Sequence, residues 1–242
     1  YANQMLPTAG LVTMHSGNAS GFDPDTRRLF IKPSGMDYDQ ITPDNVVEVD
    51  VDSGEVLSAG VRPSVDLPHH LFLYRNLPGV KGIIHTHSNY ATAFAAVGKP
   101  IPVVLTAIAD EFGGEIPCMP YIDNEGDHIG EAIMHYKNAR TPAILLGNHG
   151  VFAWGDSPKS ALKAAVMTED VAKTARDYFD LLNKLNRQQL ESSGFEPELA
   201  ARIESFELAY RMQMAAPEAL DLTRESETIH KLYGIDNPKS GH

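Results

Sequence analysis

The chain has 242 residues, 43% of them hydrophobic and 21% charged, with a formal net charge of -12 at pH 7. That is ordinary globular composition for one substantial domain with or without an appendage, and the acidic balance excludes the basic face that a nucleic-acid partner needs. The single cysteine, Cys118, excludes an internal disulfide, and no apolar run approaches the roughly 20 residues that span a bilayer. A cytoplasmic chain without a membrane partner or signal peptide is predicted. Because the chain opens at Tyr1 and nears a strand by Leu11, residues upstream of Tyr1 are expected.

Residues 8–60 read as short strands joined by turns. Leu11-Val12-Thr13 is β-prone. Arg28-Leu29-Phe30-Ile31-Lys32 alternates apolar with polar and stops at Pro33. Val46 to Val51 alternates as well, and Asp52-Ser53-Gly54 turns the chain into Glu55-Val56-Leu57. A mostly antiparallel sheet follows from this pattern. Between these strands, Ser16-Gly17-Asn18 and Ile31-Lys32-Pro33-Ser34-Gly35 offer a lysine, hydroxyls and permissive backbone, the donors that cradle a phosphate.

Pro68 to Leu77 has helical spacing, and Asp66 stands where an N-cap belongs. A carboxylate there is either that cap or a general acid/base near a metal, whereas His69 and His70 read as helix residues. Val80 to Thr86 is a buried strand, and it ends in His85-Thr86-His87. Alternate strand residues share a face, so these two histidines lie roughly 6–7 Å apart at Cα and both imidazoles reach one ion. His149 follows in Gly147-Asn148-His149-Gly150. Three imidazoles with an open position are the ligand set of a catalytic zinc (Zn2+) site, and iron, manganese and nickel suit the same ligands.

Asn89 to Val97 is an alanine-rich helix. Asp110 and Glu111 lie in a short acidic loop, and Glu125-Gly126-Asp127-His128 reads as surface. Ile101 to Leu105, Ala143 to Leu146 and Val151 to Trp154 are further strands. Ser157-Pro158 starts a helix in which Leu162, Ala165, Val166, Ala172, Ala175, Phe179 and Leu182 keep a helical period. Gly194 ends it. Pro197 starts another, with Leu199, Ile203, Phe206 and Tyr210 on one face. Strands with interspersed helices, then two helices, give an α/β sandwich.

Residues 8–178 resemble the class II aldolase family, which includes the adducin head domain. Within it the likeness is to the L-ribulose-5-phosphate 4-epimerase branch. It is carried by Ser16-Gly17-Asn18-Ala19-Ser20, Ile31-Lys32-Pro33-Ser34-Gly35, Pro63-Ser64-Val65-Asp66-Leu67-Pro68-His69-His70, His85-Thr86-His87-Ser88, Ala109-Asp110-Glu111-Phe112, and Asn148-His149-Gly150-Val151-Phe152. The resemblance implies a three-layer sandwich, a central mostly antiparallel sheet flanked by helices, with C-terminal helices added, assembled as a homotetramer. It implies that His85, His87 and His149 hold zinc, that Asn18, Lys32, Ser34, Gly35 and Ser64 bind a substrate phosphate, and that Asp66 is an acid/base. Asp110 matches the second acid/base aspartate, supplied across a subunit interface. The pattern departs from the epimerases at Val65, where a second serine is expected, and at Ala109, where a histidine is expected.

The implied activity is retro-aldol chemistry on a sugar phosphate, a pentulose 5-phosphate above all, with epimerisation as its outcome. A fuculose-phosphate-type aldolase or a sugar-phosphate dehydratase is the alternative. A non-catalytic binding module of the adducin-head kind is the alternative of another class, and the intact histidines speak against it. Residues 182–242 resemble instead part of a sulfatase-like protein of unknown function. The expected division is therefore a zinc domain over 1–180 and a helical tail over 181–242.

Overall fold

The computed structural model describes residues 1–193, with Ala201, Glu204 and Ser205 beyond them. The helix expected after Pro197 lies outside the described residues, apart from Ala201, Glu204 and Ser205. In chain order the elements are helix α1 (Ala2–Thr8), strands β1 (Asn18–Asp23), β2 (Arg28–Ile31) and β3 (Val47–Asp50), helix α2 (Leu67–Asn76), strand β4 (Gly82–Thr86), helices α3 (Asn89–Ala96) and α4 (Thr106–Phe112), strand β5 (Cys118–Met119), helix α5 (His128–Tyr136), strands β6 (Ala143–Leu146) and β7 (Gly150–Gly155), and helix α6 (Pro158–Ser193).

The strands form one sheet in the order β3-β2-β1-β4-β7-β6-β5. Every pairing is antiparallel except β5 with β6, which is parallel. Period-2 alternation divides the apolar side chains between two faces. Ile84, Leu145, Val151 and Ala153 pack in one core with α1, α3, α4 and α6. Ile83, Ile144, Leu146, Phe152 and Trp154 turn the other way, into a second core with α2 and α5. The central strands are thus covered on both sides, which is why they read as continuous apolar runs rather than alternating ones.

Several expectations for the first half give way. Leu11 is buried, but Leu11 to Thr13 is not a strand; the strand starts at Asn18. Its sequence, Asn-Ala-Ser-Gly-Phe-Asp, has weak β propensity, and pairing on both edges overrides that. Ile101 to Leu105 and Glu55 to Leu57 shrink to single bridges, Ile101 with Ile116 and Val56 with Val49. The acidic loop around Asp110 is helix α4, anchored by the fully buried Ile108 and Phe112.

Pro158 opens α6, a helix of 36 residues. Its first half buries Ala161, Leu162, Ala164, Ala165, Val171, Ala172 and Ala175, whereas Tyr178, Phe179, Leu181 and Leu185 are exposed further along. The division expected between residues 180 and 181 falls inside this one helix. Among the described residues no helix is long and apolar enough to cross a membrane.

The junction of β7 and α6 presses on β4. A Cβ added to Gly82 would lie 2.3 Å from the Ser157 carbonyl oxygen and 2.5 Å from the Pro158 nitrogen. Both neighbours are backbone and neither can swing aside. Gly82→Ala is expected to lower the unfolding free energy by about 1–3 kcal/mol. Urea melts of the two chains measure this, and coincident curves would contradict the close approach.

Candidate metal centre

His85 is the next-to-last residue of β4, and the ladder places it opposite Phe152 of β7. Its Nδ1–H donates to the Val151 carbonyl at 2.9 Å, and its ring stacks on Phe152 at 4.7 Å between centroids. Since a carbonyl only accepts, the proton is on Nδ1 and the Nε2 lone pair is left free. That nitrogen lies 2.9 Å from His87 Nε2. His87 sits one residue past the end of β4. His149 sits in the turn between β6 and β7, and its ring centroid is 4.9 Å from that of His85 and 5.3 Å from that of His87. One nitrogen from each of the three falls within 4.8 Å of the other two. A Cβ on Gly150 would stand 2.6 Å from His87 Cδ2 and 2.4 Å from the Thr86 carbonyl oxygen, so the convergence needs a residue without one.

Burial pushes the pKa of all three imidazoles down, His85 furthest, and their mutual repulsion as cations adds to this for His85 and His87. At neutral pH the three are neutral donors, which is the form that ligates a metal. The donor set therefore fits a transition-metal cation with N-ligand preference.

Asp66 resolves the two readings of its position. It occupies the N-cap position of α2, yet its side chain makes no capping hydrogen bond. Instead Oδ2 accepts from Asn18 Nδ2 at 2.5 Å, and Ser64 Oγ lies 3.4 Å away. Oδ1 has no hydrogen-bond partner among the described residues. The Asp66 charge works against the drop in pKa at His87 and His149, and Asp66 lines the same cleft as the three imidazoles.

Lys32 is 2% exposed. Its ammonium has the carbonyls of His15 and Pro33 at 3.4 Å and the Tyr38 ring at 4.9 Å, with no carboxylate in ion-pair contact among the described residues. Burial lowers its pKa, with Asp37 opposing. A buried ammonium without an anion is costly, and an anionic ligand would relieve it. Ser64 reaches this corner because its backbone N–H donates to the Lys32 carbonyl and Pro33 bridges to Pro63.

A cleft of about 230 Å³ joins these parts. Asn18, Lys32, Ser34, Gly35, Ser64, Asp66, His85, His87 and His149 all line it. Asp110 does not; it is exposed on α4. His15 and Asn124 also line the cleft and were not singled out in the sequence; Val65, where a second serine is expected, lines it too. Asn124 precedes a run that reads as surface turn, and nothing in its local pattern marks it. His69 and His70 are buried helix residues, as expected; His70 Nδ1 meets Ser20 Oγ at 2.7 Å.

Residues 1–176 match the family described as Class II Aldolase and Adducin N-terminal domain. Residues 127–242 match a second family, described as a protein of unknown function (DUF1501), consistent with the separate resemblance of the C-terminal run. The chain is 42% identical over 184 residues to the L-ribulose-5-phosphate 4-epimerase UlaF of Salmonella paratyphi C, covering 72% of this chain and 80% of that one. Among solved structures, an L-fuculose 1-phosphate aldolase aligns with a TM-score of 0.62 at 25% identity, over 86% of this chain and 92% of that one. YgbL of Escherichia coli aligns with a TM-score of 0.63 at 29% identity, over 72% of this chain and 84% of that one.

Burial of histidine beside the cleft gives a pH dependence. The pKa of His70 is pushed down to about 3, against about 6.5 for an unfolded histidine. Between those values the unfolded chain takes up a proton that the folded chain refuses. Stability is therefore fully kept above about pH 6.5 and falls as pH drops toward 3. In metal-free protein, urea midpoints between pH 7.5 and 5 should fall less steeply for His70→Asn than for the parent; equal slopes would contradict the assignment.

Proposed function

The chain belongs to the class II aldolase and adducin N-terminal domain family, and from that membership we propose that it is a metal-dependent enzyme that breaks and re-forms a carbon–carbon bond in a sugar phosphate, as an L-ribulose-5-phosphate 4-epimerase does. The observation that carries this is the meeting of three neutral imidazoles, a half-anchored carboxylate and a buried lysine around one cleft. His85, His87 and His149 would hold the metal, zinc in this reading, which would supply Lewis-acid stabilisation of negative charge on substrate oxygens.

The remaining steps belong to side chains of the chain itself. Lys32, Asn18, Ser34, Gly35 and Ser64 hold the substrate phosphate at the inner end of the cleft, where the uncompensated ammonium favours an anion. Asp66, fixed through Oδ2 and open at Oδ1, takes the proton from the carbinol hydroxyl as the adjacent carbon–carbon bond breaks. The phosphate contacts keep the aldehyde fragment from leaving. If the fragment turns over its other face before the bond re-forms, the product is the C4 epimer. Such inversion needs a proton returned from another direction, and Asp110 of a neighbouring copy in a homotetramer is the candidate donor. The same cleft with a fragment that departs is an aldolase, the reading that the likeness to L-fuculose 1-phosphate aldolase favours.

Purified protein is expected to contain about one transition-metal ion per chain, and His87→Ala to lose it; a parent chain with no stoichiometric metal ends the reading. Incubation with L-ribulose 5-phosphate should yield xylulose 5-phosphate, whereas dihydroxyacetone with a free aldehyde would identify an aldolase. Asp66→Asn should lower kcat by about a hundredfold or more.

The shared site has its own test. Asp66→Asn and Asp110→Asn chains, each inactive alone, are mixed and reassembled. If sites form between copies, up to about a quarter of them regain both carboxylates and activity returns. No recovery would show that Asp66 and Asp110 are not shared between copies, and an Asp110→Asn chain as active as the parent would place Asp110 outside the reaction.

A further inference from the structure

The three imidazoles are not equally restrained. His85 is held by its strand, by the Val151 carbonyl and by the Phe152 ring. His87 lies beyond the ladder, at the exposed mouth of the cleft, and the only hydrogen-bond partner of its ring among the described residues is His85 Nε2. Its position must therefore come from its backbone, between Thr86, the last paired residue of β4, and Asn89, the first residue of α3.

The first turn of α3 is built unusually. Its leading amides need acceptors. Ser88 is the N-cap residue, with φ -65° and ψ 142°, yet its side chain makes no capping bond and its Oγ is buried without a partner. The acceptor comes from another helix. Glu169 of α6 spreads its carboxylate across the turn: Oε1 accepts from the Tyr90 N–H and Oε2 from the Ala91 N–H, each at 2.9 Å. Both bonds are charge-assisted and set against the positive end of a helix. Further along α6, the Arg176 guanidinium lies over the Tyr90 ring at 5.4 Å. Ala91 and Ala95 of α3 and Ala172 of α6 are fully buried, so the two helices share one packed seam.

We infer that Glu169 is a positioning residue for His87: by capping α3 from α6 it fixes the path of the chain after His87, and so the point where that imidazole meets His85 and His149. This rests on the reading of the three histidines as metal ligands. Removing the carboxylate frees two amides beside a serine that does not replace it, and the backbone after His87 loses its anchor. The effect reaches the metal without any contact between Glu169 and the ligands.

The test is a titration of metal-free protein with Co2+, followed by its visible absorption and by competition with a chelator. Glu169→Ala should bind Co2+ about tenfold more weakly or worse, with an altered band shape. Glu169→Gln keeps one acceptor and should fall between it and the parent; it also serves if the alanine variant does not fold. Ala172→Gly, which weakens α6 on the same seam but touches no amide of the first turn, is the stability control and should bind as the parent does. Parent-like affinity and spectrum in the folded Glu169 variants, or an equal loss in Ala172→Gly, overturns the inference. A parent chain that binds no Co2+ overturns the metal reading, and this inference with it.

Discussion

One backbone register brings the site together. In the β4–β7 ladder Thr86 stands opposite Val151 and His85 opposite Phe152. A slip of one residue would turn His85 to the other face of the sheet, away from Phe152 and the cleft. The register also puts the turn before β7, with His149, beside the end of β4, with His87. Gly150 then has to be a glycine, because a side chain there would occupy the space of the His87 ring. Histidines more than sixty residues apart meet because two adjacent strands share one end.

The two faces of the sheet divide the task of holding those imidazoles. His85 follows Ile83 in alternation and rests on Phe152, in the layer that contains α2 and α5. That layer also delivers Asp66, at the start of α2. After His87 the chain crosses to the opposite layer, where α3 packs on α6. His87 is therefore the hinge between layers, and its neighbours on the two sides answer to different cores. The site lies where the sandwich is open at one end of β4, and this leaves the imidazoles buried enough to be neutral yet reachable from the cleft.

Much of this was legible in the sequence, for reasons that differ by element. The alternation in β3, the apolar runs of β4, β6 and β7, and the long period of α6 are local patterns, and they appear where expected. Nine of the ten site residues read from motifs line one cleft. What failed was nonlocal. β1 is a poor strand by composition and exists because both its edges are paired. The start of α1 was unmarked, since Tyr1 offers no capping side chain and the first turn has no acidic residue. Whether Asp66 caps a helix or faces a cleft depends on a side-chain direction, which Asn18, 48 residues away, decides. Glu169 carries no signal at all, because its acceptor role depends on amides 78 and 79 residues away.

The site also retains polar groups that the fold itself leaves unmet. Asn18 Oδ1, His69 Nδ1 and His70 Nε2 are buried without a partner, and the Lys32 ammonium is buried without an anion. Each costs stability in the isolated chain. They lie on β1, just past the end of β2 and on α2, close to the cleft. A fold selected for stability alone would replace Lys32 with a hydrophobe of similar length and Asn18 with a β-branched residue. These unmet groups collect beside a set of neutral imidazoles and a carboxylate with one free oxygen, and the proposal of an anionic, oxygen-rich ligand rests on that. An anion bound against Lys32 would supply the partner that its ammonium lacks, and would thereby add to the stability of this end of the sheet.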